Sequence, residues 1–295
     1  MVALGNIQDT SAIDPLLPLL EDKTRSVRAA AAFALGQIGS SRSETALSER
    51  LRRETDESPI VQLLQALGKS GTAKSLDDIV AFGLPKKMLP LKGDQVLSIA
   101  RFGLRNIKSE RSIWFCFDAL EEDNPRIRWM ALYALWRSAP HGLIDVELSK
   151  RKESLQKLCY DKSPDVRMHL ATLLGKTRSE AAMDLLALLK KNDMKKGDWR
   201  VQVNIAKSFA ALAPREEAAL DQLLSYLDVE NDHVRVVTLQ SLANLSSAVV
   251  KKLEHPEEVQ KKILGLIKPS EKRSETVQGE ALVALAKHFP GEFDY

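Results

Sequence analysis

The side chains with chemical reach are few, and nothing in their spacing gathers them into a reaction centre. His141, His169, His233, His255 and His288 show no spacing that suits metal ligands, and His169 reads as a packing residue rather than a base. Cys116 and Cys159 form no CxxC motif and no bridge framework, so buried, reduced thiols are expected of them. No nucleophile elbow, phosphate-binding loop or paired His/Cys motif occurs. Asp198 beside Trp199 is a faint candidate for a catalytic acid among aromatics. The expectation is no catalytic residue, no metal and no cofactor.

Binding chemistry is better represented. Lys190, Lys191, Lys195 and Lys196, with Lys251, Lys252, Lys261 and Lys262, would suit phosphates if they shared one surface. Glu254, Glu257 and Glu258 interleave with the second group and weaken that reading, and solvated turns are the simpler one. Arg28, Arg128, Arg167 and Arg235 each follow an aliphatic residue directly, and Asp22, Asp123 and Asp161 precede the first three by five or six positions. That spacing predicts an acid in a turn and an arginine in the next helix's first turn, a structural ladder of ion pairs. An anion-binding arginine row is the alternative.

These groups must be carried by helices. The chain has 295 residues, 44% apolar and 28% charged, with 5% aromatics and a net charge of +3. No whole-molecule field demands nucleic acid or membrane. No apolar run reaches the ~20 residues of a membrane helix, and no secretory signal is visible. In Ser26–Gly39, residues Val27, Ala31, Ala34, Leu35 and Ile38 share one helical face, and Gly39 suits a left-handed helix end. The pattern recurs, ending at Leu4, Leu35, Leu67, Leu104, Leu135, Leu174, Phe209, Leu242 and Leu285, at a mean spacing of about 35 residues. Such a period predicts a row of two-helix units. The units lie near 10–39, 40–71, 72–107, 108–139, 140–177, 178–213, 214–248 and 249–290, after a partial unit at 1–9. The segment 83–93, with Pro85 and Pro90, reads as a longer loop. No linker divides the array, so one continuous solenoid over 1–295 is expected, and its ends suggest a piece of a larger protein.

The copies DKTRSVRAAAAFALGQIG (22–39), DNPRIRWMALYALW (123–136) and DKSPDVRMHLATLLGK (161–176) resemble HEAT repeats, in particular the short bacterial type named from phycobilisome lyases. The resemblance implies an all-α fold, a right-handed α-α superhelix (HEAT/ARM-type α-solenoid) of about eight helix pairs. The resemblance specifies the repeat and not the function; the absence of catalytic motifs favours a non-catalytic scaffold. Relatives include adaptors, bilin lyases and DNA glycosylases, and similar arrays can precede a cyclophilin-type prolyl isomerase domain. The cytoplasm is expected if Met1 is the native start, and the periplasm is open if the chain is a piece.

In such a solenoid the second helices line a concave face. Counted from each aliphatic residue, positions two, six and ten residues on form a stripe away from the core. It holds Phe33 and Gln37, Phe102, then Trp129, Tyr133 and Arg137 in one line, and Lys176. Aromatics with arginine are common binding anchors, so these seven are the candidate protein- or peptide-binding residues; packing between repeats is the alternative. Substrate positioning beside a catalytic domain and nucleic-acid binding are the other functional readings.

Overall fold

The computed structural model describes residues 8–138, 140–177, 179–268 and 274–289. The partial unit expected at 1–9 falls almost wholly outside them, as does the tail after Phe289. Regular structure among the described residues is helical, with no strand, and no helix there is long and apolar enough to cross a membrane. The chain divides into two compact units, Met1–Pro140 and His141–Tyr295.

In the first unit the helices are α1 (Ile13–Leu16), α2 (Arg25–Ile38), α3 (Glu44–Arg53), α4 (Glu57–Ser70), α5 (Ala73–Ala81), α6 (Lys92–Leu104), α7 (Glu110–Asp118) and α8 (Pro125–Ser138). The second helices stack in order, α2 on α4, α4 on α6 and α6 on α8, while α3, α5 and α7 pack behind them. The reason is amphipathicity: each second helix buries one side against its own first helix and its edges against neighbouring second helices. In α2 the residues Ala31, Ala32, Ala34 and Leu35 are all fully buried. The helix stops at Gly39, whose φ of 73° no β-carbon-bearing residue adopts cheaply.

Small residues set the spacing of the stack. A β-carbon on Gly36 would lie 2.7 Å from Cα of Ala66, one on Gly68 3.2 Å from Cα of Ser98, and one on Gly103 2.9 Å from Cα of Ser138. Backbones therefore touch where the helices cross.

Three local expectations are corrected here. The unit near 10–39, expected as two helices, begins instead with the short α1 flanked by 3-10 turns at Thr10–Ala12 and Leu17–Glu21, because Pro15 and Pro18 withdraw backbone donors. The loop at 83–93 contains a 3-10 turn, Lys86–Leu91, held down by buried Met88 and Leu91. Leu104 is not a core residue: it is 57% exposed, and Phe102 is fully buried in its place.

The second unit comprises α9 (His141–Lys150), α10 (Lys152–Cys159), α11 (Pro164–Gly175), α12 (Ala181–Lys196), α13 (Trp199–Leu212), α14 (Glu217–Leu224), α15 (Asp232–Asn244), α16 (Ser247–Val250), α17 (Pro256–Ile267) and α18 (Glu275–His288). Again the second helices stack, α11 on α13, α13 on α15 and α15 on α18, backed by α10, α12, α14 and α17. The unit near 140–177, expected as two helices, holds three, because α9 precedes α10 and α11. Helix α12 runs to Lys196 and ends on left-handed Gly197.

Three of the four arginines expected to pair with turn acids meet backbone carbonyls of the preceding turn instead. Arg28 donates from Nη1 to the backbone carbonyls of Asp22 and Lys23, at 2.9 and 3.2 Å. Arg128 does the same to Glu122 and Asp123, at 2.6 and 2.8 Å, and Arg167 to Asp161 and Lys162, at 2.8 and 3.3 Å. Each guanidinium thus closes the turn before its own helix through carbonyls. The Asp22 and Asp161 carboxylates accept from the backbone two residues on, Thr24 and Ser163, and so shape the turns. The ion pairs run to the next repeat. Arg28 meets Glu54 at 2.8 Å and Asp56 at 2.6 Å, and Arg167 meets Asp193 at 2.9 Å. Arg235 departs from the pattern, reaching the Leu227 carbonyl at 3.3 Å and Asp232 at 3.5 Å.

Glu54 makes this staple pH-dependent. Burial pushes its carboxyl pKa up, but hydrogen bonds from Arg28 and the Asp56 and Thr55 amides, with the charge of Arg50, outweigh that and lower it from 4.5 to about 2. A carboxylate depressed in the folded state contributes stability that is full above the unfolded value and lost as pH falls through the folded one. Stability of the wild type should therefore drop between about pH 4.5 and pH 2 more steeply than that of Glu54→Gln. Urea titrations across that window, compared between the two proteins, measure the difference; parallel curves would show that Glu54 keeps its ordinary pKa.

Candidate functional site

The expected binding residues divide between the units, six in the first and Lys176, exposed at the end of α11, in the second. In the first unit, Phe33 and Gln37 are half-buried on α2. Both meet Lys69 of α4: its Nζ lies 5.7 Å from the Phe33 ring centre and 2.5 Å from Oε1 of Gln37. On α8, Trp129 and Tyr133 are half-buried and Arg137 is exposed. The Arg137 guanidinium sits 4.0 Å over the Trp136 ring and 5.4 Å from that of Tyr133, and the two rings meet edge-on at 5.4 Å. Trp136 is part of this cluster.

Phe102 is the exception. It is fully buried with the Arg105 guanidinium 4.7 Å over its ring, so it offers nothing to a partner. The face of α6 is one residue out of the expected register: Leu97, Arg101 and Arg105 line it, while Ser98 and Phe102 turn into the stack. Arg105 is engaged as a cap, donating to the carbonyls of Gly71 and Gly68 at 2.6 and 3.1 Å.

The corrected face adds two residues that the repeat alignment missed, Lys69 and Arg101. Arg101 reaches back over α4, its Cδ 3.3 Å from where a Gly68 β-carbon would lie. Its neighbour there is Lys69. Burial lowers the pKa of Lys69 and the nearby charge of Arg101 lowers it further. Burial lowers that of Arg101, while Asp94 and Tyr133 pull it up. Across four consecutive second helices the result is a strip: Phe33 and Gln37, then Lys69, then Arg101, then Tyr133, Trp136 and Arg137.

The other candidates resolve into structural roles. Asp198 caps α13 by accepting from the Arg200 amide at 3.0 Å, and pairs with the Arg200 guanidinium at 3.1 Å. The side-chain hydrogen bond from Arg200 holds its carboxyl below the usual range, so it is ionised and has no proton to give at neutral pH. Trp199 stacks on His233, ring centres 4.8 Å apart. His169 is half-buried and burial lowers its pKa. Cys116 and Cys159 are buried; burial raises both thiols, that of Cys159 to about 12. Among the lysine clusters, Lys190 turns inward to Gln222 and Ser225, at 2.7 and 2.5 Å, and Lys262 pairs with Asp228 at 2.7 Å. The described residues include no group of three or more His, Cys, Asp or Glu placed to hold a metal.

Stacked helix pairs with a continuous second-helix face in each unit define an α-solenoid. Residues 2–68 match the sequence profile of HEAT repeats, and the helix pairs of both units are stacked in the manner of such repeats. No curated protein sequence matches the chain. Among solved structures, yeast importin-beta (Kap95p) is similar over 97% of this chain and 44% of its own, at 13% identity and a TM-score of 0.55. A chain from the structure in which Kap95p binding switches the loops of RanGDP is similar over 93% of this chain and 42% of its own, at 13% identity and a TM-score of 0.57. This chain therefore spans less than half the length of either, and the likeness is one of fold.

Proposed function

We propose that this protein is a non-catalytic scaffold that binds a protein or peptide on the second-helix face of residues 1–140. The observation that carries the reading is the cluster on α8, where Trp129, Tyr133, Trp136 and Arg137 stand together only partly buried. A core would cover such rings, and amphipathic rings with an arginine are the side chains from which interfaces draw most of their binding energy. The neighbouring structures include one of Kap95p bound to RanGDP, which is in keeping with protein recognition on this type of array.

The test is selection of a displayed random-peptide library on the full chain. The wild type is expected to enrich a defined peptide family, and Trp129→Ala with Tyr133→Ala to lose it by at least about 10-fold in affinity. Far-ultraviolet circular dichroism should show unchanged helicity, and Tyr133→Ala alone serves if the double variant unfolds. Undiminished binding by a folded variant rejects the site.

A further inference from the structure

The chemistry of the partner can be read from the charges on the same strip, and this inference rests on the scaffold reading above. In α2 and α8 there is no acidic residue at all, and in α4 and α6 the acids, Glu57 and Asp94, stand in the first turn. The last two turns of these four helices hold Lys69, Arg101 and Arg137 and not one carboxylate. Among the described residues none of the three makes an ion pair. Lys69 contacts an amide oxygen and a ring, Arg137 contacts two rings, and Nη1 of Arg101 is buried without a hydrogen-bond partner. Asp94, the carboxylate whose field Arg101 feels, has its ion pair with Arg126, at 4.0 Å.

Helix dipoles favour cations at helix C-termini. That alone does not explain why Lys69 and Arg101, which meet beside Gly68 closely enough to feel each other's charge, are partly desolvated without an ion pair of their own. Other partly buried cations are fully engaged: Arg28 has Glu54 and Asp56, Arg167 has Asp193, and Lys190 and Arg105 have two polar oxygens each. Two adjoining cations without a counter-charge are costly in isolation and become favourable when an anion sits between them.

We propose that the strip takes an extended acidic segment of a protein partner, with one carboxylate between Lys69 and Arg101 and an apolar side chain against Trp129 and Tyr133. Second helices pack ~8–10 Å apart, so the three steps from α2 to α8 span roughly 24–30 Å. An extended chain covers that in about eight residues at ~3.3 Å each. Gln37 beside Lys69 supplies an amide for the segment's backbone, and Arg137 a second point of charge at the α8 end.

The same peptide selection on the full chain decides the matter, with Lys69→Gln plus Arg101→Gln and with Lys69→Glu plus Arg101→Glu as the two comparison proteins. Peptides enriched on the wild type should carry paired Asp or Glu near an aromatic or aliphatic residue. The affinity of a synthetic copy should fall about 10-fold or more in the glutamine variant and should weaken as salt rises from low to physiological. The glutamate variant should instead enrich basic peptides. Neutral or basic peptides on the wild type, lost in Trp129→Ala with Tyr133→Ala, would keep the scaffold and overturn the acidic partner. Acidic peptides that ignore both substitutions would also overturn it, as would tighter binding of single-stranded polyuridine than of any peptide. Enrichment of nothing would overturn scaffold and partner alike. Thermal melts show whether each variant is folded, and Lys69→Gln alone carries the test if Arg101 proves structurally necessary.

Discussion

Arg167→Ala should destabilise the unit formed by residues 141–295 by about 3–5 kcal/mol, the cost of stranding one member of a buried ion pair. The Arg167 side chain is 3% exposed and that of Asp193 is fully buried. Both Nε and Nη2 of Arg167 donate to the same Asp193 oxygen, at 3.1 and 2.9 Å, while Nη1 serves two carbonyls of the preceding turn. One side chain thus ties a turn, its own helix and the first helix of the next repeat. Truncation leaves the Asp193 carboxylate in the interior with less to hold it, and the Asp161 and Lys162 carbonyls short of a donor. Arg167→Lys should recover little, since a single ammonium cannot serve carboxylate and carbonyls with the geometry of a planar fork. Arg167→Met combined with Asp193→Leu should recover most of the loss, because removing both charges removes the desolvation cost together with the pairing. Urea denaturation followed by circular dichroism gives these differences, and a loss under about 1 kcal/mol for Arg167→Ala would mean that water reaches the pair.

That staple shows where sequence reading succeeds and where it stops. The arginine after each aliphatic residue is visible because it recurs once per repeat. Its partners are not: Glu54 and Asp193 each lie 26 positions downstream of Arg28 and Arg167, at the end of the next first helix. That offset is legible only when two repeats are compared, and Arg128 and Arg235 have no acid at the same offset. The missed α9 has a different cause. Ile144 and Leu148 are buried while Val146 is 50% exposed, so its apolar residues do not keep to one face and the helical period is blurred.

The candidate site was legible where the repeat is regular. Trp129, Tyr133 and Arg137 stand on α8 in the expected line. Phe102 and Arg101 exchanged places because the insertion at 83–91 feeds α6 into the stack one residue out of step, and a stripe counted from Val96 then falls on the buried side. Lys69 was within reach: counting back eight residues from Leu67 and forward ten gives it, but the copy that ends at Leu67 is too weak to invite the count. Periodicity reports which residues face the stack. Charges without a counter-charge become visible only when side chains from four helices are assembled.

Gly36→Leu should cost about 3 kcal/mol or more, or prevent residues 1–140 from folding. A β-carbon at Gly36 would stand 2.7 Å from both Cα and Cβ of Ala66, and backbone cannot yield as a flexible side chain does. The helices α2 and α4 must separate, and the alanines packed beside the crossing lose their contacts with them. Even Gly36→Ala should cost about 1–3 kcal/mol, against the usual gain of replacing a helical glycine. Gly279 in α18 supplies the comparison. It has open space around its β-carbon position, so Gly279→Ala should stabilise by about 0.5–1 kcal/mol through helix propensity alone. Opposite signs for the same substitution at two helical glycines, read from thermal melts, separate close approach from propensity; a stabilising Gly36→Ala would refute the contact. The proposed binding strip depends on the same crossing. The contact of Lys69 with Phe33 and Gln37 spans α2 and α4, so any variant that pries these helices apart widens the strip at its first step. A folded Gly36→Ala protein should accordingly bind the selected peptides more weakly than the wild type while Gly279→Ala binds them unchanged, because the face exists only as closely as the small residues behind it allow the helices to pack.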